Sequence, residues 1–286
     1  MEKFQIFVQL TRLNKPIGVL LLFWPCAWGL TLGYYQKPNT DFYLIYLLLF
    51  FLGSVLMRSA GCIVNDIVDK KFDKKVKRTK SRPIASGKIT VLDALIYAVI
   101  LCLLAFFILL QFNFLTIILG LSSMFLAFSY PFMKRITYWP QLFLGLTFNW
   151  GIVMGYTSIT NYISVEGVLL YISAIFWTLG YDTIYGLQDI HDDEIIGVKS
   201  TSIKFKNNVK MFVGVCYSLF ILIILLMFFI MEINQYLLFF LLLSIFTFVY
   251  QIKILKVNNS KSCLHAFKIN NLTGFFVLIF ILSFNL

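Results

Sequence analysis

Charge is scarce in this sequence. Charged residues make up 13% of its 286 positions against 60% hydrophobic ones, a balance that excludes an ordinary soluble domain. Histidine occurs only at His191 and His265, which removes the basis for a zinc centre. The five cysteines, Cys26, Cys62, Cys102, Cys216 and Cys263, are scattered, odd in number and contain no CxxC pair. They read as buried packing residues and form neither a disulfide framework nor a metal knuckle. No small-residue cleavage site follows the basic-then-apolar order of Met1 to Leu32, and Trp24, Pro25 and Trp28 interrupt its apolar run. That segment reads as a retained first span rather than a signal peptide.

What is present is apolar length. Runs of roughly the 20 residues needed to cross a bilayer fall at about 17–35, 43–65, 91–111, 114–133, 139–159, 165–187, 209–231, 234–252 and 264–285. The expected fold class is all-α: a polytopic membrane protein with about nine transmembrane helices, forming one integral membrane domain over residues 1–286. Lys and Arg are retained on the cytosolic side of such proteins. With the N-terminus cytosolic, every Lys and Arg except Lys37 and Arg58 falls in an inner segment. The net charge of +11 then reflects topology and attraction to anionic head groups of the lipid bilayer. No nucleic-acid partner is expected, and no obligate protein partner is evident.

The end of the second run carries Asn65-Asp66-Ile67-Val68-Asp69-Lys70-Lys71-Phe72-Asp73. On a helix Asn65, Asp69 and Asp73 fall four apart, and Asp66 falls three before Asp69, so all four lie on or near one face. Acids at a helix C-terminus are unfavourable by roughly 0.3–1 kcal/mol each. A solvated helix end is one reading, and a cation-binding face is the other. The second reading gains weight downstream, where the sixth run ends in Asp182, Tyr185, Asp189 and Asp193, spaced three, four and four. Asp192 and Glu194 point elsewhere and read as solvated charges.

Basic loops follow both clusters. The first contains Lys77-Arg78-Thr79-Lys80-Ser81-Arg82-Pro83 and the second Lys199-Ser200-Thr201. Carboxylates beside guanidinium groups suit a phosphate neutralised by metal on one side and Arg or Lys on the other. Arg58 lies two turns deeper than Asn65, where an intramembrane Arg costs about 2.5 kcal/mol or more. It is either an internal ion pair or a receptor for a substrate carboxylate. Arg12 is either an inside-positive anchor or a holder of an anion at the cytosolic mouth. Tyr130, just before Lys134 and Arg135, lines a ligand cavity or belongs to an interfacial aromatic belt.

The two clusters end spans two and six, which suggests two four-helix repeats, about 1–135 and 136–256, with a final helix at 264–285 and a site at the repeat interface. Magnesium prefers a few carboxylates plus substrate phosphate oxygens over an all-protein cage. Two facing clusters therefore suit a diphosphate bridged by Mg2+, and an aromatic content of 18% suits a cavity that stabilises a carbocation without attacking it. Those parts fit transfer of a prenyl group from an allylic diphosphate. A cation-coupled transporter would place its acids near mid-membrane on broken helices, not at helix ends. A head-group phosphotransferase would show a DGxxAR start, which is absent.

Asn65-Asp66-x-x-Asp69-x-x-x-Asp73 with its Arg-rich loop, and Tyr181-Asp182-x-x-Tyr185-x-x-x-Asp189-x-x-x-Asp193 with Gly197-Val198-Lys199-Ser200-Thr201, resemble the intramembrane aromatic prenyltransferases of the UbiA family. The resemblance covers nearly the whole chain. Leu22-Phe23-Trp24-Pro25, Met57-Arg58-Ser59-Ala60-Gly61-Cys62 and Tyr181-Asp182-Thr183-Ile184-Tyr185 look most like the members of the ubiquinone pathway that act on 4-hydroxybenzoate.

The resemblance implies helices around a central cavity, Mg2+ dependence, and joining of a polyprenyl group from polyprenyl diphosphate to the carbon ortho to the phenol of 4-hydroxybenzoate. It implies that Asn65, Asp69, Asp189 and Asp193 hold the metal and diphosphate, with Asp66 and Asp73 supporting. Arg78, Arg82 and Lys199 are the expected diphosphate contacts. Asp182 is expected at the phenol and Arg58 at the carboxylate, with Lys134 or Arg135 as alternatives; Arg12, Tyr130 and Tyr185 complete the expected substrate pocket. Acceptors of the naphthoate type, 1,4-dihydroxy-2-naphthoate, or haem share the same metal motifs. The amino terminus is not an Arg- and Ser-rich import leader, so a bacterial cytoplasmic (inner) membrane with the site facing the cytosol is expected.

Overall fold

The computed structural model describes residues 2–38 and 41–285. Nine helical segments among the described residues are long and apolar enough to cross a membrane: α2 (Ile17–Gln36), α3 (Tyr43–Val68), α5 (Val91–Leu109), α6 (Phe114–Ile136), α7 (Pro140–Thr160), α8 (Val165–Gly186), α11 (Val209–Ile230), α12 (Leu238–Ile254) with the turn of helix before it from Gln235, and α13 (Ser260–Leu282). Four short helices accompany them: α1 (Glu2–Thr11), α4 (Lys70–Asp73), α9 (Ile190–Ile196) and α10 (Thr201–Lys204). Each expected span is present, and the protein is a multi-pass membrane protein. Its outward faces carry exposed side chains such as Leu48, Val99, Phe107, Phe125, Leu222 and Phe246, which a lipid environment accepts and water does not.

Capping residues set several boundaries. Thr90, Asn113, Ser164 and Asn259 each accept a hydrogen bond from a first-turn N–H of α5, α6, α8 and α13, satisfying donors that the helix itself leaves free. A short link, Leu110 to Asn113, joins α5 to α6. Even so, α5 packs mainly on α3 and α6 mainly on α7, with few contacts between the two.

The tightest pairing is α2 against α7. A Cβ on Gly29 would lie 2.0 Å from the Ile152 carbonyl oxygen, and one on Gly155 would lie 2.4 Å from that of Cys26. Gly29 and Gly33 on α2, and Gly151 and Gly155 on α7, are thus small-xxx-small pairs that let two backbones touch, the device that replaces hydrophobic driving force between helices in lipid.

Buried polar groups join the remaining helices. Trp177 Nε1 donates to Asn270 Oδ1 at 2.8 Å, while Asn270 Nδ2 and the Tyr217 hydroxyl both donate to Gln251 Oε1 at 2.8 Å. These bonds tie α8, α11, α12 and α13 into one wall. Spans seven to nine accordingly form a packed scaffold around Trp28, Trp177, Phe220 and Phe280.

Both acid clusters sit where long helices stop. The helix expected to run through Asp73 bends at Asp69, whose N–H donates to the Asn65 carbonyl at 2.9 Å and whose carbonyl accepts from Phe72 and Asp73 at 2.8 Å. The four-residue spacing of Asn65, Asp69 and Asp73 therefore survives the bend. The second cluster does not lie on one continuous helix, although Asp182, Tyr185, Asp189 and Asp193 line one chamber. α8 ends at Gly186, the chain tightens through Gln188 N–H to Tyr185 O and Asp189 N–H to Gly186 O at 3.3 Å, and α9 begins at Ile190.

Candidate active site

A cavity of about 1530 Å³ opens among α2, α3, α5, α6, α7 and α8, with Phe267, Lys268 and Asn271 of α13 along one edge. Its walls are mostly apolar, including Leu22, Phe50, Leu103, Phe106, Met124 and Phe128. A smaller chamber of about 190 Å³ holds Asn65, Asp69, Asp73, Arg78, Arg82, Tyr130, Lys134, Asp182, Tyr185, Asp189, Asp193 and Lys199. Residues more than a hundred positions apart thus line one chamber, and both acid clusters contribute to it.

Every acid of the first cluster has a cationic neighbour. Asp66 accepts from Arg12 Nη2 at 2.7 and 2.8 Å and from Arg82 Nη1 at 3.0 Å. Arg82 Nη1 also donates to Asp73 at 2.9 Å. Lys134 donates to Asp69 Oδ2, and Arg135 stands 3.7 Å from Asp69 Oδ1 while donating to the Val68 carbonyl at 2.9 Å. A cation on the last turn of α3 is favourable against its negative dipole end, which offsets the acids gathered there.

Arg78 joins the two clusters. Its Nε donates to both Asp189 oxygens at 2.8 and 2.9 Å, its Nη1 donates to the Tyr185 hydroxyl at 3.2 Å, and its guanidinium lies over the Tyr185 ring. Asp193 is pushed up to about 6 by burial and then by the neighbouring charge of Asp189. Burial likewise holds Asp69 above the ordinary carboxylate value, opposed by Lys134.

Deeper in, Arg58 and Asp182 both face the large cavity beside Tyr130, Tyr181 and Tyr185. Arg58 makes no ion pair among the described residues, and its Nε is buried without a hydrogen-bond partner. Packing holds it instead. The guanidinium lies over the Phe148 ring at 5.4 Å, and a Cβ on Gly18 would come within 2.6 Å of Nε. Such a desolvated and unpaired cation beside an open cavity is a ready receptor for an anion. The Tyr181 hydroxyl is also buried and unpartnered.

The donor set of the small chamber suits a hard cation. Among the described residues no three His, Cys, Asp or Glu side chains converge closely enough to cage a metal by themselves. Magnesium does not need that cage, because it takes one or two carboxylates and completes its shell with water and phosphate oxygens. Asp69 Oδ1 is buried and accepts no hydrogen bond, which leaves a carboxylate oxygen free for a cation. The residues present fit the metal.

A family model described as the UbiA prenyltransferase family matches residues 22–277. The chain belongs to the UbiA prenyltransferase family. It is 38% identical over 275 residues to a 4-hydroxybenzoate octaprenyltransferase of Tolumonas auensis, covering 96% of this chain and 95% of that protein. It is 47% identical over 211 residues to the mitochondrial 4-hydroxybenzoate polyprenyltransferase of Arabidopsis thaliana, covering 73% of this chain and about half, 51%, of the plant protein. The UbiA fold is also seen in a UbiA homologue from Aeropyrum pernix K1, with a TM-score of 0.78 at 20% identity over 93% of this chain and 98% of that one. A UbiA homologue from Archaeoglobus fulgidus bound to GPP and Mg2+ aligns with a TM-score of 0.73 at 17% identity, over 97% of this chain and 99% of that one.

Within this UbiA fold the residues expected from sequence do not all stand as expected. Lys134 is engaged with Asp69 at the mouth, and Arg135 with the end of α3, whereas Arg58 alone of the three lies deep and unpaired. Lys199 borders the small chamber, but its Nζ donates to the Ile136 carbonyl at 3.2 Å. Arg12 reaches the site through Asp66. Tyr130 lines both chambers. Phe148 and Gly18 were not singled out from sequence, because one aromatic or glycine in an apolar span looks like any other.

Proposed function

We propose that this chain transfers a polyprenyl group from polyprenyl diphosphate to the ring carbon ortho to the phenol of 4-hydroxybenzoate, with Mg2+, as a step of ubiquinone biosynthesis. One observation carries the reading: two carboxylate clusters, at the ends of α3 and α8, line one small chamber that shares Asn65, Arg78, Arg82, Tyr130, Asp182 and Tyr185 with a large apolar cavity. The names of the bacterial and mitochondrial relatives support the donor and acceptor. The solved homologue bound to GPP and Mg2+ supports a diphosphate with a divalent ion.

Asn65, Asp69, Asp73, Asp189 and Asp193 would hold the metal, and Arg78, Arg82 and Lys199 would neutralise the diphosphate from the other side. Magnesium, when bound, supplies positive charge that stabilises the departing diphosphate. The apolar wall accepts the prenyl tail and keeps water from the allylic carbon as its C–O bond breaks. Tyr130, Tyr181 and Tyr185 line the large cavity, where aromatic rings can stabilise positive charge on that carbon. Arg58 clamps the benzoate carboxylate, and Asp182 accepts a hydrogen bond from the phenol, raising the nucleophilicity of the ring carbon. A new C–C bond then replaces the C–O bond, whose electron pair leaves with the diphosphate, and the ring proton at that carbon passes to the released diphosphate.

The proposal extends to topology. The site faces the cytosol of a bacterial cytoplasmic membrane, as the inside-positive loops support, and lies between repeats at about 1–135 and 136–256, with the helix at 264–285 added. The test is purified protein in detergent with a prenyl diphosphate, 4-hydroxybenzoate and Mg2+. C-prenylated benzoate with one diphosphate released per product supports the reading; diphosphate release without that product overturns it.

A further inference from the structure

Asp66 differs from the other acids of its cluster in what it faces. It is 1% exposed and lies in the wall of the large cavity beside Arg12 and Arg82, whereas Asp69 and Asp73 line only the small acidic chamber and Asn65 lines both. Both its oxygens are committed, Oδ1 to Arg12 and Arg82 and Oδ2 to Arg12. Asp69, by contrast, retains a buried oxygen without a hydrogen-bond partner.

Arg12 is committed in turn. Its backbone adopts φ 60°, a left-handed conformation that an Arg rarely takes and that ends a helix. From there Nη1 donates to the Gln9 carbonyl at 2.8 Å, closing the last turn of α1, while Nη2 reaches Asp66. Leu10, the residue buried next to this turn, packs with Ile63 of α3 and Ile84 of the basic loop. A strained residue held by an ion pair at a binding cavity is retained when its position matters.

We infer that Asp66 is a positioning residue, which fixes the Arg12 and Arg82 guanidinium groups at the cavity mouth and so fastens α1 to the site, rather than a supporting ligand of the metal. The inference rests on the diphosphate reading of that mouth. The carboxylate orients two forks that a phosphate-bearing substrate meets on entry, and a fork must be aimed to be useful. The metal is left to the acids of the small chamber.

Charge-conserving variants separate position from charge. Asp66→Glu and Arg12→Lys keep every charge but move the carboxylate or remove the planar fork. Two quantities are measured on the full-length protein in detergent. The first is affinity for an unreactive thiolo analogue of geranyl diphosphate at saturating Mg2+, by calorimetry; the second is binding of Mn2+ alone, by loss of the free-ion EPR signal. Both variants are expected to weaken analogue binding by about fivefold or more and to leave Mn2+ binding within about twofold, while Asp69→Asn weakens Mn2+ binding by about fivefold or more. Mn2+ binding weakened by Asp66→Glu as much as by Asp69→Asn would make Asp66 a ligand and overturn the inference. Unchanged analogue affinity would overturn it as well. If Asp66→Glu is not monodisperse, Arg12→Lys decides by the same two readings. A wild type that binds neither probe defeats the diphosphate reading itself, a result distinct from either of these.

Discussion

Arg78 Nε donates to both carboxylate oxygens of Asp189, at 2.8 and 2.9 Å. A residue expected at the phosphate is thus paired with a residue expected at the metal, across the two clusters. The pair keeps Asp189 compensated until an anion competes for the guanidinium. Removing Arg78 deletes charge-assisted bonds worth about 1.5–3 kcal/mol. Arg78→Ala is expected to lower kcat/KM for the prenyl diphosphate by about 10- to 100-fold, while KM for 4-hydroxybenzoate stays near the wild-type value; steady-state kinetics with each substrate varied in turn checks this.

Asp69 and Asp189 stand at the ends of different helices and face one chamber. Each is expected to share in holding the metal. Asp69→Asn and Asp189→Asn should each lower kcat/KM by about 100-fold or more, since they remove part of a charge stabilisation worth several kcal/mol. Chelation of divalent ions should abolish turnover of the wild type and added Mg2+ should restore it, measured as product by mass spectrometry.

Arg58 is held between the Phe148 ring and the bare backbone of Gly18. Its loss should be felt by the acceptor and not by the donor. Arg58→Leu is expected to raise KM for 4-hydroxybenzoate by about 10- to 100-fold, the value of a hydrogen bond to a charged group. Gly18→Ala should move it in the same direction, because the added Cβ meets the guanidinium at 2.6 Å. An unchanged KM for the benzoate in Arg58→Leu would remove Arg58 from the acceptor site.

Gly155 tests the packing of α2 on α7. An added Cβ would stand 2.4 Å from the Cys26 carbonyl oxygen and 2.7 Å from the Leu30 nitrogen, and neither backbone can step aside cheaply. Gly155→Ala should cost about 1–3 kcal/mol of stability, read as earlier thermal aggregation in detergent. Gly61→Ala is the control, since nothing lies within 4 Å of its Cβ.

The nine spans were legible because lipid demands long apolar helices and Lys and Arg gather in alternate connecting segments between them. Both carboxylate clusters were legible because acids at helix ends in so apolar a chain stand out. Their pairing was not. Arg12 meets Asp66 and Arg78 meets Asp189 through tertiary folding, and no spacing along the chain encodes either contact. Nor did periodicity reveal the tightened turn between Gly186 and Asp189, where a strict helical count puts Asp182 and Asp189 on one face. The Gly29/Gly33 and Gly151/Gly155 pairs were present in the sequence, but only the structure shows that they face each other. α1 escaped notice because a ten-residue helix is too short to register as a span.

The most direct measurement is prenyl transfer by the purified protein in detergent, offered a long-chain prenyl diphosphate with 4-hydroxybenzoate or 1,4-dihydroxy-2-naphthoate, each with and without Mg2+. The account predicts a C-prenylated product from 4-hydroxybenzoate only, and only with the metal. Product from the naphthoate alone, or metal-independent product from either acceptor, would contradict it.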